Sequence, residues 1–384
     1  MRKTISTKIL SYFKKEPVLI IASILAIVSA FITPPDMRYL SYIDFRTLGI
    51  LFSLMAVMCG FQKLGCFKMI ASALLNKSRN LTQLLIILIL LCFFFGMVIT
   101  NDVALITFVP LTIAVLNLMG EDSKKKLLIP IVSIQTIAAN LGSMLTPIGN
   151  PQNLYLYGLS GVNLVDFLKL MLPYSFISLI LLMIWCFVKG THSKKMGIET
   201  KNINVSTDTN NLNPVQLVSY LFLFVLCLLS VARILPYWIL ALIIIFTVFI
   251  IDKKVLLKVD YSLLLTFIAF FVFIGNMGRI DTIYNFLSNI IVGNELPVSI
   301  ISSQVISNVP AALLLSGFTN NYTSLIIGVN LGGLGTLIAS MASLISFKFV
   351  ANETSAKTSK YLGYFTLYNI LFLICLVAFH SFAS

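Results

Sequence analysis

Along the 384 residues of this chain, nearly unbroken apolar stretches alternate with short polar joints. The apolar segments fall near 18–33, 47–64, 84–99, 103–118, 127–158, 164–188, 214–231, 234–251, 261–277, 297–318, 322–349 and 361–382. A hydrocarbon core about 30 Å thick takes about 20 helical residues to cross, so this pattern predicts an all-α polytopic membrane protein. The one long polar stretch, Lys189 to Asn213, is rich in Asn, Thr and Lys and predicts a linker. It separates a first half, residues 1–190, from a second half, residues 214–384, with 191–213 on the cytoplasmic side.

Some segments do not fit simple spanning. Pro297 to Ile306 offers ten residues before a polar break at Ser307-Asn308, about 15 Å of helix. The run Pro310 to Phe318 behind it is equally short, so 297–318 predicts a re-entrant hairpin with a polar tip. Leu84 to Ile99 and Val103 to Leu118 flank Thr100-Asn101-Asp102 in the same way, and 84–118 is read as a hairpin by analogy. The segment 127–158 carries Pro147, Gly149 and Pro151 among several amides, too many breakers for one continuous helix. Its counterpart 322–349 carries Gly328, Gly332, Gly333 and Gly335. Both predict transmembrane helices unwound in mid-membrane.

Within these interrupted segments two polar motifs occur twice, in the same order. The first copy reads Val98-Ile99-Thr100-Asn101, then Asn140-Leu141-Gly142 with Thr146 and Ile148 behind it. The second reads Val305-Ile306-Ser307-Asn308, then Asn330-Leu331-Gly332 with Thr336 and Ile338. Unpaired amides and loosened backbone are costly in hydrocarbon unless they line a cavity or touch a ligand. A duplicated pair of such sites is the pattern of a secondary transporter built from two inverted repeats. Asp44-Phe45 opens the second span as Asp260-Tyr261 opens the seventh, and Gly60 and Gly275 lie near their ends. The extra helix 214–231 gives the two copies opposite orientations.

Half-helix N-termini present free N–H groups and a positive dipole end, which favour an anion. Hydroxyl, amide and unwound carbonyl oxygens suit a hard cation. The candidate substrate- and ion-binding residues are therefore Thr100, Asn101, Asp102, Asn140, Gly142, Thr146, Pro147, Gly149, Asn150, Ser307, Asn308, Asn330, Gly332 and Thr336. Among them Thr100, Asn101, Asn140, Ser307 and Asn308 are the candidate Na⁺ ligands. Asp102 is the acidic residue deep in the predicted hydrocarbon region, a proton carrier or cation ligand by default. A plain helix cap is the competing reading of each tip, but the recurrence of a matching second motif favours a site. No cofactor is called for beyond a coupling ion, Na⁺ or H⁺.

Composition narrows the class further. Mean hydropathy is +0.98, with 58% hydrophobic and 11% charged residues, far below the roughly 25% charge of soluble domains. The net charge of +13 does not point to nucleic acid, because the cations sit in short joints on alternate sides. With hairpins counted as no net crossing and a cytoplasmic N-terminus, 22 of the 27 Lys and Arg fall inside and 5 outside, as the positive-inside rule requires. The C-terminus is then external, and the first apolar run is a retained span rather than a cleaved leader. The 6 cysteines lie in or beside apolar segments without a CxxC pair, so neither a disulfide framework nor a zinc site is implied. No HExxH or GxSxG motif occurs, which argues against an intramembrane enzyme. Isolated polar breaks, in place of a continuous polar stripe, argue against a channel.

At Thr100-Asn101, Ser307-Asn308 and Asn140-Leu141-Gly142 through Thr146-Pro147-Ile148-Gly149-Asn150-Pro151, the chain resembles the ion transporter superfamily. That superfamily includes divalent anion/sodium symporters, citrate transporters and arsenite efflux permeases, and the similarity covers roughly residues 17 to 382. Asn101-Asp102 followed by Pro110 resembles the arsenite permease and citrate-transporter-like branches more than the dicarboxylate branch. The resemblance implies an elevator mechanism in a homodimer, with hairpins and broken helices moving against a fixed scaffold. It also implies that Thr100, Asn101, Ser307 and Asn308 bind the coupling ion and the substrate. Val309 and Pro310 stand where the family pattern has a third hydroxyl. The expected function is Na⁺- or H⁺-coupled transport of a small anion, a carboxylate or inorganic oxyanion, across the plasma membrane. Arsenite or antimonite efflux is the alternative.

Overall fold

Apolar chain in a medium without water satisfies its backbone polar groups by closing into helices, and the regular elements of the described residues are all helices. The computed structural model describes residues 16–195, 213–353 and 356–383; the predicted linker's residues 196–212 lie outside them. The first half contains α1 (Pro17–Ile32), α2 (Arg38–Tyr42), α3 (Phe45–Lys63), α4 (Cys66–Leu75), α5 (Leu81–Ile99) and α6 (Asn101–Leu118). It continues with α7 (Glu121–Ser143), α8 (Pro151–Ser160) and α9 (Leu164–Lys195). The second half contains α10 (Pro214–Val231), α11 (Tyr237–Leu256), α12 (Tyr261–Met277), α13 (Asp281–Ile291) and α14 (Glu295–Ile306). It ends with α15 (Asn308–Ser316), α16 (Tyr322–Gly332), α17 (Met341–Ala351) and α18 (Thr358–Ala383).

Among the described residues 7 helices are long and apolar enough to cross a membrane: α3, α5, α6, α7, α9, α10 and α18. The count rises to 8 if α12 and α13, bent by 106° to one another, form one span. The protein is a multi-pass membrane protein. Helices α3 and α12 begin with the same kind of cap. The Asp44 carboxylate accepts the Thr47 N–H at 3.0 Å to start α3, and that of Asp260 accepts the Leu263 N–H at 3.0 Å to start α12.

The predicted breaks are present, with different lengths around them. Around Thr100, α5 has 19 residues and α6 has 18, each long enough to span on its own. The Asn80 side chain accepts the Gln83 N–H at 2.9 Å and starts α5 three residues before the apolar run. Around Ser307, α14 has 12 residues and α15 has 9, about 18 and 14 Å of helix, too short to cross. The segment 127–158 breaks between α7 and α8, over 144–150, and 322–349 breaks between α16 and α17, over 333–340. Asn140, Gly142, Asn330 and Gly332 thus end helices instead of lying in the unwound part. Helix α9 continues into the polar stretch as far as Lys195.

Packing follows small residues. Helix α5 lies along α7, and α14 along α16. A Cβ at Gly142 would stand 1.9 Å from the Phe93 carbonyl oxygen, and one at Gly332 would stand 2.6 Å from Ser303 Oγ. Glycine at these positions lets two helices touch backbone to backbone, the usual way helices associate in membranes. The α7 span is 94% buried and forms the centre of the molecule, with α18 also packed on it. Across the halves α17 packs on α6 and α8 on α15. Helices α1 and α12 form one peripheral pair and α11 and α3 another, with α10 laid against the second.

Candidate functional site

The two tips have the same backbone. Thr100 has φ 78 and ψ 150, and Ser307 has φ 73 and ψ 154. These are two of the three non-glycine residues with positive φ among the described residues. A β-branched residue in that region costs on the order of 1–3 kcal/mol, a strain that clusters at ligand clamps and switches. Each tip is tied to its own broken helix by the same bonds. The Asn101 N–H donates to the Gly149 carbonyl at 3.1 Å, and the Asn308 N–H to the Ala339 carbonyl at 2.9 Å. Thr146 Oγ1 donates to the Met97 carbonyl at 2.5 Å, and Thr336 Oγ1 to the Gln304 carbonyl at 3.1 Å. Met97 and Gln304 each stand three residues before their tip.

Amides from both halves meet between the tips. Asn140 Oδ1 accepts from Asn101 Nδ2 and from Ser340 Oγ, both at 3.0 Å, while Asn140 Nδ2 reaches the Gly333 carbonyl at 3.5 Å. The Asn308 amide packs against Gly333, whose Cβ position is 2.8 Å from Nδ2. A second group joins Asn150 Nδ2 to Asn330 Oδ1 at 3.3 Å, and Asn330 Nδ2 to Asn153 Oδ1 at 2.6 Å. Asn150 also caps α8 by accepting the Asn153 N–H at 2.9 Å. The Asn153 amide, 0% exposed, donates to the carbonyls of Met144 and Thr146 at 3.2 Å. The unwound backbone of one half is thus held by side chains of the same half, and each half's amides are held by the other.

Beside the first tip lies a cavity of about 180 Å³. Thr100, Asp102 and Asn150 line one wall; Leu51, Met55, Cys59 and Gln62 of α3, with Lys258, Asp260 and Leu263, line the other. Its acidic and basic side chains are those of Asp102, Asp260 and Lys258. At the far end of α8, Arg233 (φ 65) donates to the carbonyls of Tyr157 at 3.1 Å and Gly161 at 3.2 Å. Its guanidinium lies 5.1 Å from the Tyr157 ring centroid. A cation there satisfies the free carbonyls of a helix C-terminus.

The predicted residues divide accordingly. Thr100, Asp102 and Asn150 reach the cavity; Asn101 and Asn140 share one hydrogen-bonded group and Asn150 and Asn330 the other, while the Asn308 side chain lies beside Gly333. Gly142, Gly149 and Gly332 serve close backbone contact: a Cβ at Gly149 would stand 2.1 Å from the Ser143 carbonyl oxygen. Thr146 bonds to α5 and Thr336 to α14, Ser307 holds its place beside Ala339, and Pro147 lies in the first break. Asn153, Ser340 and Gln304 escaped prediction. Gln304 Nε2 donates to the carbonyls of Gly332 at 3.0 Å and Leu334 at 2.9 Å, while its Oε1 accepts the Thr336 N–H at 2.9 Å. As the amide within the apolar arm 297–306, it carried a signal; Ser340 carried none.

Comparison with known proteins decides the class. A family model described as citrate transporter matches residues 5–321. The chain belongs to the citrate transporter family. It is 33% identical over 349 residues to the uncharacterized transporter MJ0456 of Methanocaldococcus jannaschii, covering 89% of this chain and 91% of that protein. It is 31% identical over 317 residues to inner membrane protein YbiR of Escherichia coli, 81% of each chain. It is also 31% identical over 154 residues to silicon efflux transporter LSI3 of Oryza sativa, covering 40% of this chain and 30% of that protein. Family membership agrees with the ion transporter resemblance of the tip and broken-helix motifs. The protein is a membrane transporter and not an enzyme.

Proposed function

We propose that this transporter moves a small oxygen-rich anion across the plasma membrane by secondary active transport coupled to H⁺ or Na⁺. The observation that carries the reading is the junction of the two strained tips through Asn140, which accepts from Asn101 and from Ser340, the residue after the Ala339 that holds Asn308, beside a cavity holding Asp102. The matched φ/ψ of Thr100 and Ser307, the matched tip-to-break bonds and the matched caps Asp44 and Asp260 support two inverted repeats. In this reading α5–α6 and α14–α15 are the hairpins, and they move with α7–α8 and α16–α17 against α1, α3 and α10–α12. An elevator of this kind needs open seams between its two bodies. The 180 Å³ cavity and a second cleft of about 400 Å³ between α5 and α3 both lie on that boundary. Lys63, Lys258 and the other basic joints of that side support a cytoplasmic assignment for it; in this reading the conformer opens inward while Arg233 and α8 close the outer side.

Two carboxyl groups facing one lysine do not favour a multiply charged carboxylate travelling alone. They suit a small oxyanion carried with a cation, with Asp102 as the proton or cation carrier. The same electrostatics, with the similarity to a silicon efflux transporter, favour a second reading: export of a weakly acidic oxyacid such as arsenite or antimonite. Purified protein in liposomes, given imposed Na⁺ or H⁺ gradients and a panel of labelled anions and oxyacids, tests both. Gradient-driven flux that Asn101→Ala and Asn308→Ala abolish without loss of folded protein supports the reading. Flux that ignores every gradient rejects coupled transport, and wild-type rates in both variants reject the site.

A further inference from the structure

Beside the hairpin arm α5 lies an apolar cleft whose walls the transport site does not use. The cleft, about 400 Å³, is bounded by α3, α4, α5 and α10. Phe61, Phe67, Phe94, Val98, Ile70 and Phe224 form its walls, and every other lining side chain is also apolar or a cysteine. Aromatic contacts brace it, with Phe61 and Phe224 ring centroids 6.3 Å apart and those of Phe67 and Phe95 5.7 Å apart. Its mouth faces outward from the protein, since Ile70, Phe94 and Val98 are 41%, 47% and 43% exposed. The size falls in the range of about 300–1,000 Å³ that holds a small apolar ligand. In a bilayer the ambient apolar ligand is an acyl chain.

The charges around the cleft name the headgroup. From Met58 to Asn101 the sequence carries Lys63, Lys68, Lys77 and Arg79 and no acidic residue. Lys63 is committed to an ion pair with Asp252. Lys68, next to the wall residue Phe67, is exposed, as are Lys77 and Arg79 at the other end of α4. Among the described residues none of these three has an acidic partner. Basic groups of this kind, on the cytoplasmic side of a pocket between membrane helices, hold anionic lipid headgroups.

The geometry points to a binding site for one anionic phospholipid, its acyl chain in the cleft between α5 and α3/α10 and its headgroup on the cations of α4 and the α4–α5 joint. The site rests on the proposed orientation, but not on any transported solute. Its occupant would stand between the arm that leads into Thr100 and the helices against which that arm is proposed to move.

Native mass spectrometry of the full chain in detergent, titrated with phosphatidylglycerol or phosphatidylcholine of identical acyl chains, tests it without a transport assay. The wild type should retain the phosphatidylglycerol adduct at least about fivefold better, the attraction of roughly one basic residue for an anionic surface. Lys68→Gln/Lys77→Gln/Arg79→Gln should remove that preference, whereas Lys348→Gln/Lys357→Gln/Lys360→Gln, an equal loss of charge elsewhere, should keep it. Ile70→Trp, which fills the mouth from an exposed position, should weaken both adducts. Equal retention of the two lipids by the wild type overturns the proposal, as does an undiminished preference in the first triple variant or its loss in the second. Absence of solute flux with the lipid still selectively bound would reject the transport reading alone.

Discussion

The bond between Asn140 and Ser340 joins the two halves at the site, and a double-mutant cycle on it measures whether they converge there. Asn140 is 7% exposed and Ser340 1%. Truncating Asn140 to Ala leaves Asn101 Nδ2 and Ser340 Oγ without the acceptor they share at 3.0 Å; the 3.5 Å contact to the Gly333 carbonyl is too long to count for much. Each stranded buried group costs on the order of 1–3 kcal/mol, so Asn140→Ala should destabilise by about 2–5 kcal/mol. Ser340→Ala loses one donor while Asn140 keeps Asn101, which costs about 1 kcal/mol. In the double variant no Ser340 hydroxyl is left unpaired, so the losses should fall short of additive. Membrane hydrogen bonds average about 0.6 kcal/mol in such cycles and reach about 1.7. A coupling near 1–1.7 kcal/mol is expected here, because both groups are buried. Reversible unfolding in mixed micelles of the four proteins supplies the numbers. A coupling below about 0.3 kcal/mol, the level of independent sites, would refute the convergence.

The other expected outcomes concern packing, charge and strain. Gly142→Ala drives a methyl into the Phe93 carbonyl at 1.9 Å and should cost about 3 kcal/mol or more, at or beyond the usual overpacking range; Gly363→Ala, with nothing within 4 Å, should be neutral or stabilising by up to about 1 kcal/mol. Paired melts in one detergent check both. Asp102→Asn preserves shape but removes the cavity's titratable group on the tip, so the pH profile of flux in liposomes should flatten; an unchanged profile excludes Asp102 as proton carrier. Arg233→Ala and Arg233→Gly both lose the bonds to Tyr157 and Gly161, but at φ 65 only glycine escapes the left-handed penalty. Arg233→Gly should therefore be the more stable by about 1 kcal/mol, as chemical denaturation can show, and the reverse order would deny the strain.

What the sequence made legible was whatever leaves a periodic or punctuating mark. Long apolar runs marked the spans, and Thr100-Asn101 and Ser307-Asn308 marked breaks because amides and hydroxyls are conspicuous in such runs. Gly142 and Gly332 were read as site residues, and the structure gives them to helix contact, a distinction that depends on a neighbour 49 and 29 residues away (Phe93 and Ser303). Helix ends were misjudged where a cap lay outside the apolar run: Asn80 lengthened α5, and α9 ran on into a polar sequence. Asn153 and Ser340 stayed hidden for a different reason. Their partners, Asn330 and Asn140, are 177 and 200 residues distant, and no local pattern records which amide a serine will meet. The sharp bend between α12 and α13 was equally unmarked.

The two tips share a backbone but not a chemistry, and the difference bears on how the proposed pair of sites would act directionally. Where the first tip continues Asn101-Asp102, the second continues Asn308-Val309. Where the second arm has Gln304, fastened to Gly332, Leu334 and Thr336, the first has Met97, which offers only a backbone carbonyl. The second tip is therefore cross-linked to its broken helix by an amide that the first lacks, and the first keeps an ionisable group beside a cavity that the second does not line. Rigid attachment and titratable charge are hard to combine at one position, because a carboxylate that gains and loses a proton or cation must change its partners. Under the proposed mechanism, dividing the two tasks between the tips would leave one to hold geometry and the other to register a coupling ion.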